Sequence, residues 1–191
     1  MFIQTEVTPN PATLKFLPGK VVLGNGTEDI RTADDAEARS PLAAKLFGIP
    51  GVTGVFFGHD FVSVTKGDGP EWQHLKPAVL GTIMEHFMSG QPVMGLGSGD
   101  VPANEDGEFF DESDQDIVLT IKELLETRVR PAVANDGGDI TFHGFDRGVV
   151  YLHMQGACAG CPSSTMTLKM GIENLLRHYI PEVLEVRPVA A

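Results

Sequence analysis

Apolar positions recur along the chain with two periods, and the switches between them mark out the elements. Near the amino terminus Ile3, Thr5 and Val7 alternate, Thr8-Pro9-Asn10-Pro11 makes a turn, and Leu14-Lys15-Phe16-Leu17 resumes an extended run before Pro18-Gly19, which predicts a hairpin. Ser40-Pro41 followed by Leu42 to Phe47 and closed by Gly48 predicts a short helix with a capping serine and a proline in its first turn. Val52 to Phe57 and Phe61 to Thr65, around Gly58-His59-Asp60, predict a second hairpin. A helix is expected over Glu71 to Met88, weakened by Pro77 and Gly81.

The pattern is more regular towards the carboxy terminus. Val118, Ile121, Leu125 and Val129 share a helical face, with Pro131 expected to end that helix. Ile140 to Phe145 and Val149 to Met154 flank Asp146-Arg147-Gly148 as a hairpin. Leu168, Ile172, Leu175, Leu176 and Tyr179 form the stripe of a second helix ending before Pro181, and Val183 to Val186 can add a last strand. The fold class is α+β, with two small domains of mixed helix and strand.

Charge locates the boundary between them. The formal net charge is -12; residues 100–116 hold eight acidic side chains and no basic one, directly after Gly95-Leu96-Gly97-Ser98-Gly99. Glycine, low hydrophobicity and self-repulsion read as a solvated linker, so the expected organisation is a domain over 1–97, an acidic Gly-rich linker over 98–115 and a second domain over 116–191. Phe109-Phe110 interrupts the acidic run and is either a docking spot or a local contact. The acidic balance argues against nucleic-acid binding, which needs a basic footprint. No apolar run approaches the roughly 20 residues that span a bilayer. The first residues lack the basic start and apolar run of a secretory signal, and two cysteines in 191 residues make no disulfide framework, so a reducing compartment is expected.

Those two cysteines, Cys158 and Cys161, carry the chemistry. Cys158-Ala159-Gly160-Cys161 can turn both sulfurs onto one metal or onto each other, and spacing alone does not choose. Pro162 suits a first helical position, with Ser163 or Ser164 as cap, and a helix start lowers thiol pKa values, which favours the ligating thiolate. Iron-sulfur clusters and closed zinc sites take four protein ligands. The missing pair comes from histidines of the same chain or from the cysteines of a second copy, and a two-fold interface favours the copy. A local disulfide, a thioredoxin-type redox pair and a zinc site shared by two chains are the competing readings. The redox reading expects a longer βαβ framework than the hairpin, helix and strand around this loop.

Other groups have ordinary explanations. Asp136 and Asp139 bracket a turn that uses glycine freedom, rather than forming a hard-metal or acid-base pair. His153 fits a strand face better than a ligand position, and His59, His74, His86 and His178 show no ligand spacing. Met166 and Met170 are expected to fill the core, as are Trp72, Phe56, Phe57 and Phe61, while Lys169 and Arg177 suit a solvated face. No phosphate loop, catalytic triad or flavin fingerprint is present, and the chain is not expected to be an enzyme.

Taken together, Asp136-Gly137-Gly138-Asp139-Ile140, Gly156-Ala157-Cys158-Ala159-Gly160-Cys161-Pro162-Ser163-Ser164, Thr167-Leu168-Lys169 and Gly171-Ile172-Glu173 resemble the NifU-like domain of the Nfu family of iron-sulfur cluster scaffolds and carriers. Thr8-Pro9-Asn10-Pro11, Leu14-Lys15-Phe16, Ser40-Pro41-Leu42-Ala43 and Asp60 to Lys66 are similar to that family's amino-terminal module. The resemblance implies that Cys158 and Cys161 are cluster ligands, that a homodimer holds one [4Fe-4S] cluster, and that the cluster is received from upstream assembly proteins and passed to apo iron-sulfur proteins. It implies a partner-recognition or stabilising role for the first module. The location expected from it is the bacterial cytoplasm, or the mitochondrial matrix for a processed organellar form.

Overall fold

A computed structural model describes residues 1–95, 108–159 and 162–189, the side chains of residues 162–164 excepted. The chain forms two compact units, Met1–Val101 and Pro102–Ala191. Residues 96–107, which include the first part of the expected linker, lie outside the described residues.

In the first unit, strands β1 (Gln4–Val7), β2 (Thr13–Leu17), β3 (Glu28–Ile30), β4 (Val52–Phe57) and β5 (Val62–Lys66) form one antiparallel sheet in the order β1-β2-β5-β4-β3. Both predicted hairpins are present, and β2 and β5 join them. Helix α2 (Pro41–Phe47) begins as read: the Ser40 hydroxyl accepts from the Ala43 N–H at 3.0 Å and donates to the Val93 carbonyl at 2.5 Å. Helix α3 (Trp72–Ser89) runs through Pro77 and Gly81, both on its exposed side, while Leu75, Val79, Ile83 and His86 face the core at intervals of three and four. Phe56, Phe57 and Phe61 are buried as expected, and Trp72 packs at the core edge with its indole N–H on the Pro11 carbonyl.

Strand β3 and helix α1 (Ala33–Arg39) have no counterpart in the sequence reading. Of α1, only Ala36 is buried, so no apolar stripe announces it. Its signals are charge and capping: the Thr32 hydroxyl accepts from the Asp35 N–H, Asp34 and Asp35 stand in the first turn, and Arg39 stands in the last.

The second unit has a three-stranded sheet, β6 (Gly138–Asp146), β7 (Val149–Gly156) and β8 (Glu185–Val189), with β6 antiparallel and β8 parallel to β7. The expected order of helix, two strands, helix and strand is present. Arg147 and Gly148 both take positive φ, as a two-residue hairpin turn requires. Ile140, Phe142, Val150, Leu152 and Met154 turn one sheet face to the helices, meeting Val118, Ile121, Val129, Ile172 and Leu176 in one core.

Two expectations are corrected in this unit. Pro131 does not end the first helix: α4 (Gln115–Leu124) continues through a π-helical turn, Leu125–Val129, into α5 (Arg130–Asn135). Proline has no N–H and crowds the carbonyl four residues back. The wider turn, with the Arg130 N–H donating to the Leu125 carbonyl, starts a new helical segment in whose first turn Pro131 is tolerated. Met166 and Met170 do not fill the core; they are 65% and 59% exposed on α6 (Pro162–Tyr179). They lie two residues off the Leu168, Ile172 and Leu176 stripe, about 200° round the helix.

Part of the acidic stretch is structured. Phe109 bridges to Gly144, its N–H on the His143 carbonyl and its carbonyl receiving the Phe145 N–H, and Glu112–Asp114 form a 3-10 turn leading into α4. Phe109 thus makes the local contact, although it and Phe110 remain 43% and 39% exposed.

Candidate metal centre

The glycine-rich turn before β6 and the cysteine loop after β7 are far apart in sequence, and the hairpin between them returns one to the other. Gly138 pairs with Gly156 at the open end of the β6–β7 ladder, and the Ala157 N–H donates to the Gly137 carbonyl at 3.2 Å. Gly137 has φ +83°, which favours glycine. Gly138 is needed for space: a Cβ there would stand 2.6 Å from the Gln155 carbonyl oxygen and 2.7 Å from Cys158 Sγ. The sulfur of Cys158 rests where a side chain at 138 would have to be. The Thr165 hydroxyl, from the first turns of α6, donates to the Cys158 carbonyl at 3.0 Å and ties the loop to the helix.

Asp139 lies beneath this junction, 3% exposed, and its burial is answered by Arg130. The guanidinium donates from Nε to Oδ1 and from a terminal nitrogen to Oδ2, both at 2.9 Å, while the Ile140 N–H donates to Oδ1 at 2.8 Å. The other terminal nitrogen donates to Glu126 at 2.5 Å. These bonds, the Asp139 ones foremost, raise the Arg130 pKa further above its ordinary value. Asp139 is therefore neither a free hard-metal ligand nor only a turn residue; it is the buried half of a bidentate ion pair beside the cysteine loop. The sequence reading missed Arg130.

Cys158 is a free, buried thiol packed into the helix-side core. Its pKa is pushed up to about 12, first by burial and then by the negative charges of Asp136 and Asp139. This corrects an expectation: the helix start does not lower the Cys158 pKa, because desolvation and two carboxylates outweigh it. The sulfur is buried rather than presented to solvent. Cys161 lies outside the described residues, as does Gly160.

His153 lies on the β7 face turned from the helices, as its strand position indicated, with its ring 4.3 Å from that of His143; burial, then the His143 charge, lowers its pKa. His86 is fully buried, its Nε2 3.0 Å from the Pro92 carbonyl and its Nδ1 without a partner, and burial lowers its pKa. Among the described residues no three His, Cys, Asp or Glu side chains group as a metal site, and no helix is long and apolar enough to cross a membrane. Lys169 pairs with Glu185 and Arg177 with Glu173 on the surface.

Comparison with known proteins matches both units. Residues 3–90 match the family model described as scaffold protein Nfu/NifU N terminal, and residues 121–187 match the NifU-like domain. The chain is 53% identical over 190 residues to a Drosophila sechellia protein named NFU1 iron-sulfur cluster scaffold homolog, mitochondrial, covering 99% of this chain and 65% of that one. A Homo sapiens protein of the same name is 51% identical over 190 residues, with 99% and 72% covered. The chain thus spans a little under two thirds of the length of its Drosophila relatives.

Proposed function

We propose that this chain, which belongs to the Nfu/NifU scaffold family, holds an iron-sulfur cluster as cargo and hands it to apo-proteins. The observation that carries the reading is the junction just described: the turn at 136–139 and the loop at 156–159, both parts of the family resemblance, converge on one sulfur. Cys158 and Cys161 are the ligands in this reading. Two sulfurs are half of the usual set, so a second copy supplies the rest and one [4Fe-4S] cluster is shared by a homodimer.

The donor set fits such cargo in kind, since thiolate is the ligand iron-sulfur clusters take. A bound metal deprotonates a coordinating thiol outright, which overcomes the raised pKa of Cys158. Cys158 Sγ is packed against Gly138, so coordinating a cluster requires that sulfur to turn out of the core. The protein acts by binding and transfer, not by turning over a substrate. The mitochondrial designation of its relatives supports the organellar location over the bacterial cytoplasm.

Transfer is tested by mixing the cluster-loaded protein with an apo iron-sulfur enzyme under anaerobic conditions. Activation of the enzyme is expected to be faster than loss of the cluster to a chelator in solution. Equal rates for the two would count against a carrier.

A further inference from the structure

The β6–β7 hairpin has a second face, turned from the helices and the cysteine loop. There β6 carries a bulge: Phe142 pairs with Leu152 and Gly144 with Tyr151, which leaves His143 as the inserted residue. A bulge places two successive residues on one side of the sheet, and here it sets His143 beside His153, whose direct partner is Thr141. The two imidazoles meet edge to face, with centroids 4.3 Å apart and planes at 75°. Gly144 leaves room for the Phe109 ring, which stands 5.5 Å from His143 and 5.2 Å from Tyr151 and walls one side of the pair. Among the described residues neither imidazole has a hydrogen-bond partner.

We propose that His143 and His153 chelate one divalent first-row transition ion on this outer face, at a site separate from the cysteine loop. Imidazole nitrogen suits iron, nickel, copper and zinc. Two imidazoles on one ion each bring a nitrogen to about 2.0–2.1 Å from a metal such as zinc, which requires the rings to approach within a few ångströms, as these do. The strands supply that approach in advance: the bulge and the 141–153 register hold both backbones, so binding needs only side-chain rotation. The remaining coordination positions face solvent and take water.

The test is nickel(II) added substoichiometrically to the full chain at neutral pH, read by paramagnetic broadening of the histidine imidazole NMR signals. His143 and His153 are expected to broaden together and before His59, His74 and His178. In His153→Gln the His143 signal should respond no more than those other histidines, with the nickel needed rising roughly tenfold or more, since even loss of an outer-shell partner costs at least that. His143→Gln should have the converse effect on His153. Both substitutions are on the partly exposed face, and the unaltered signals of the core report that the fold is kept. Equal broadening of all exposed histidines, or undiminished broadening of His143 in His153→Gln, overturns the chelate.

Discussion

In the amino-terminal unit two buried hydroxyls complete secondary structure: Ser40 caps α2 and reaches Val93, and Thr13 bonds Thr65 across β2 and β5. In the carboxy-terminal unit a glycine that admits no Cβ and the buried carboxylate of Asp139 act on one thiol, and the arginine that answers the carboxylate follows a π-helical turn. The first unit's departures from the ordinary rules are spread over β2 and α3: the buried Lys15, paired with Glu6, Pro77 inside α3 and the partnerless His86 Nδ1. The second departs from those rules in several places at once, and departures that cluster mark the working part of a protein.

If that contrast is right, substitutions at the junction should weigh on the second unit alone. Arg130→Gln should have the largest effect. It strands a buried carboxylate, and because the guanidinium is 31% exposed the loss is placed at the low end for a broken buried pair, about 3 kcal/mol. Residue-resolved urea unfolding would show it, with residues of β6 and β7 affected and those of β2 and β5 unchanged; an equal loss in both units would break the comparison. Gly138→Ala should follow at roughly 2 kcal/mol, because its new Cβ meets a backbone carbonyl that cannot turn aside. Ser40→Ala reverses the test, costing about 1 kcal/mol in the first unit and nothing in the second.

Alkali should separate the units, whereas acid weighs on both, through His86 in the first and His153 in the second, whose pKa values are both lowered. His86 has a lowered pKa, so the unfolded chain takes up the proton first and the first unit loses stability as pH falls below the ordinary imidazole value near 6.5. Cys158 has a raised pKa, so the folded chain keeps its proton longer; its contribution is complete below 9.0 and is lost as pH rises from there towards about 12. At pH 10 the Cys158 effect is on the order of 1 kcal/mol. Thermal melts of each unit against pH, with His86→Gln and Cys158→Ala as controls, should show the two slopes and flatten each in turn.

Much of this was legible from residue order. The hairpins, α2, α6 and the cysteine loop all follow from periods, caps and turn residues, which are local properties. Helix α1 escaped because a helix that buries one alanine leaves no hydrophobic period to read. Arg130 escaped because its partner lies nine residues away across a helix end, and nothing local distinguishes it from a surface arginine. The Cys158 pKa was misread for a related reason: the helix start is visible in sequence, whereas the desolvation that outweighs it comes from packing. The methionines were misread although their positions relative to Leu168 and Ile172 already placed them off the core face.

The central claim is that each chain holds half of a cluster's ligands, and native mass spectrometry of the anaerobically reconstituted full chain, with iron and sulfide counted in the same sample, tests it most directly. The account predicts a dimer carrying one [4Fe-4S] cluster, reduced to a cluster-free monomer by Cys158→Ala or Cys161→Ala. A monomer that retains a whole cluster, or a dimer joined by zinc without sulfide, would contradict it.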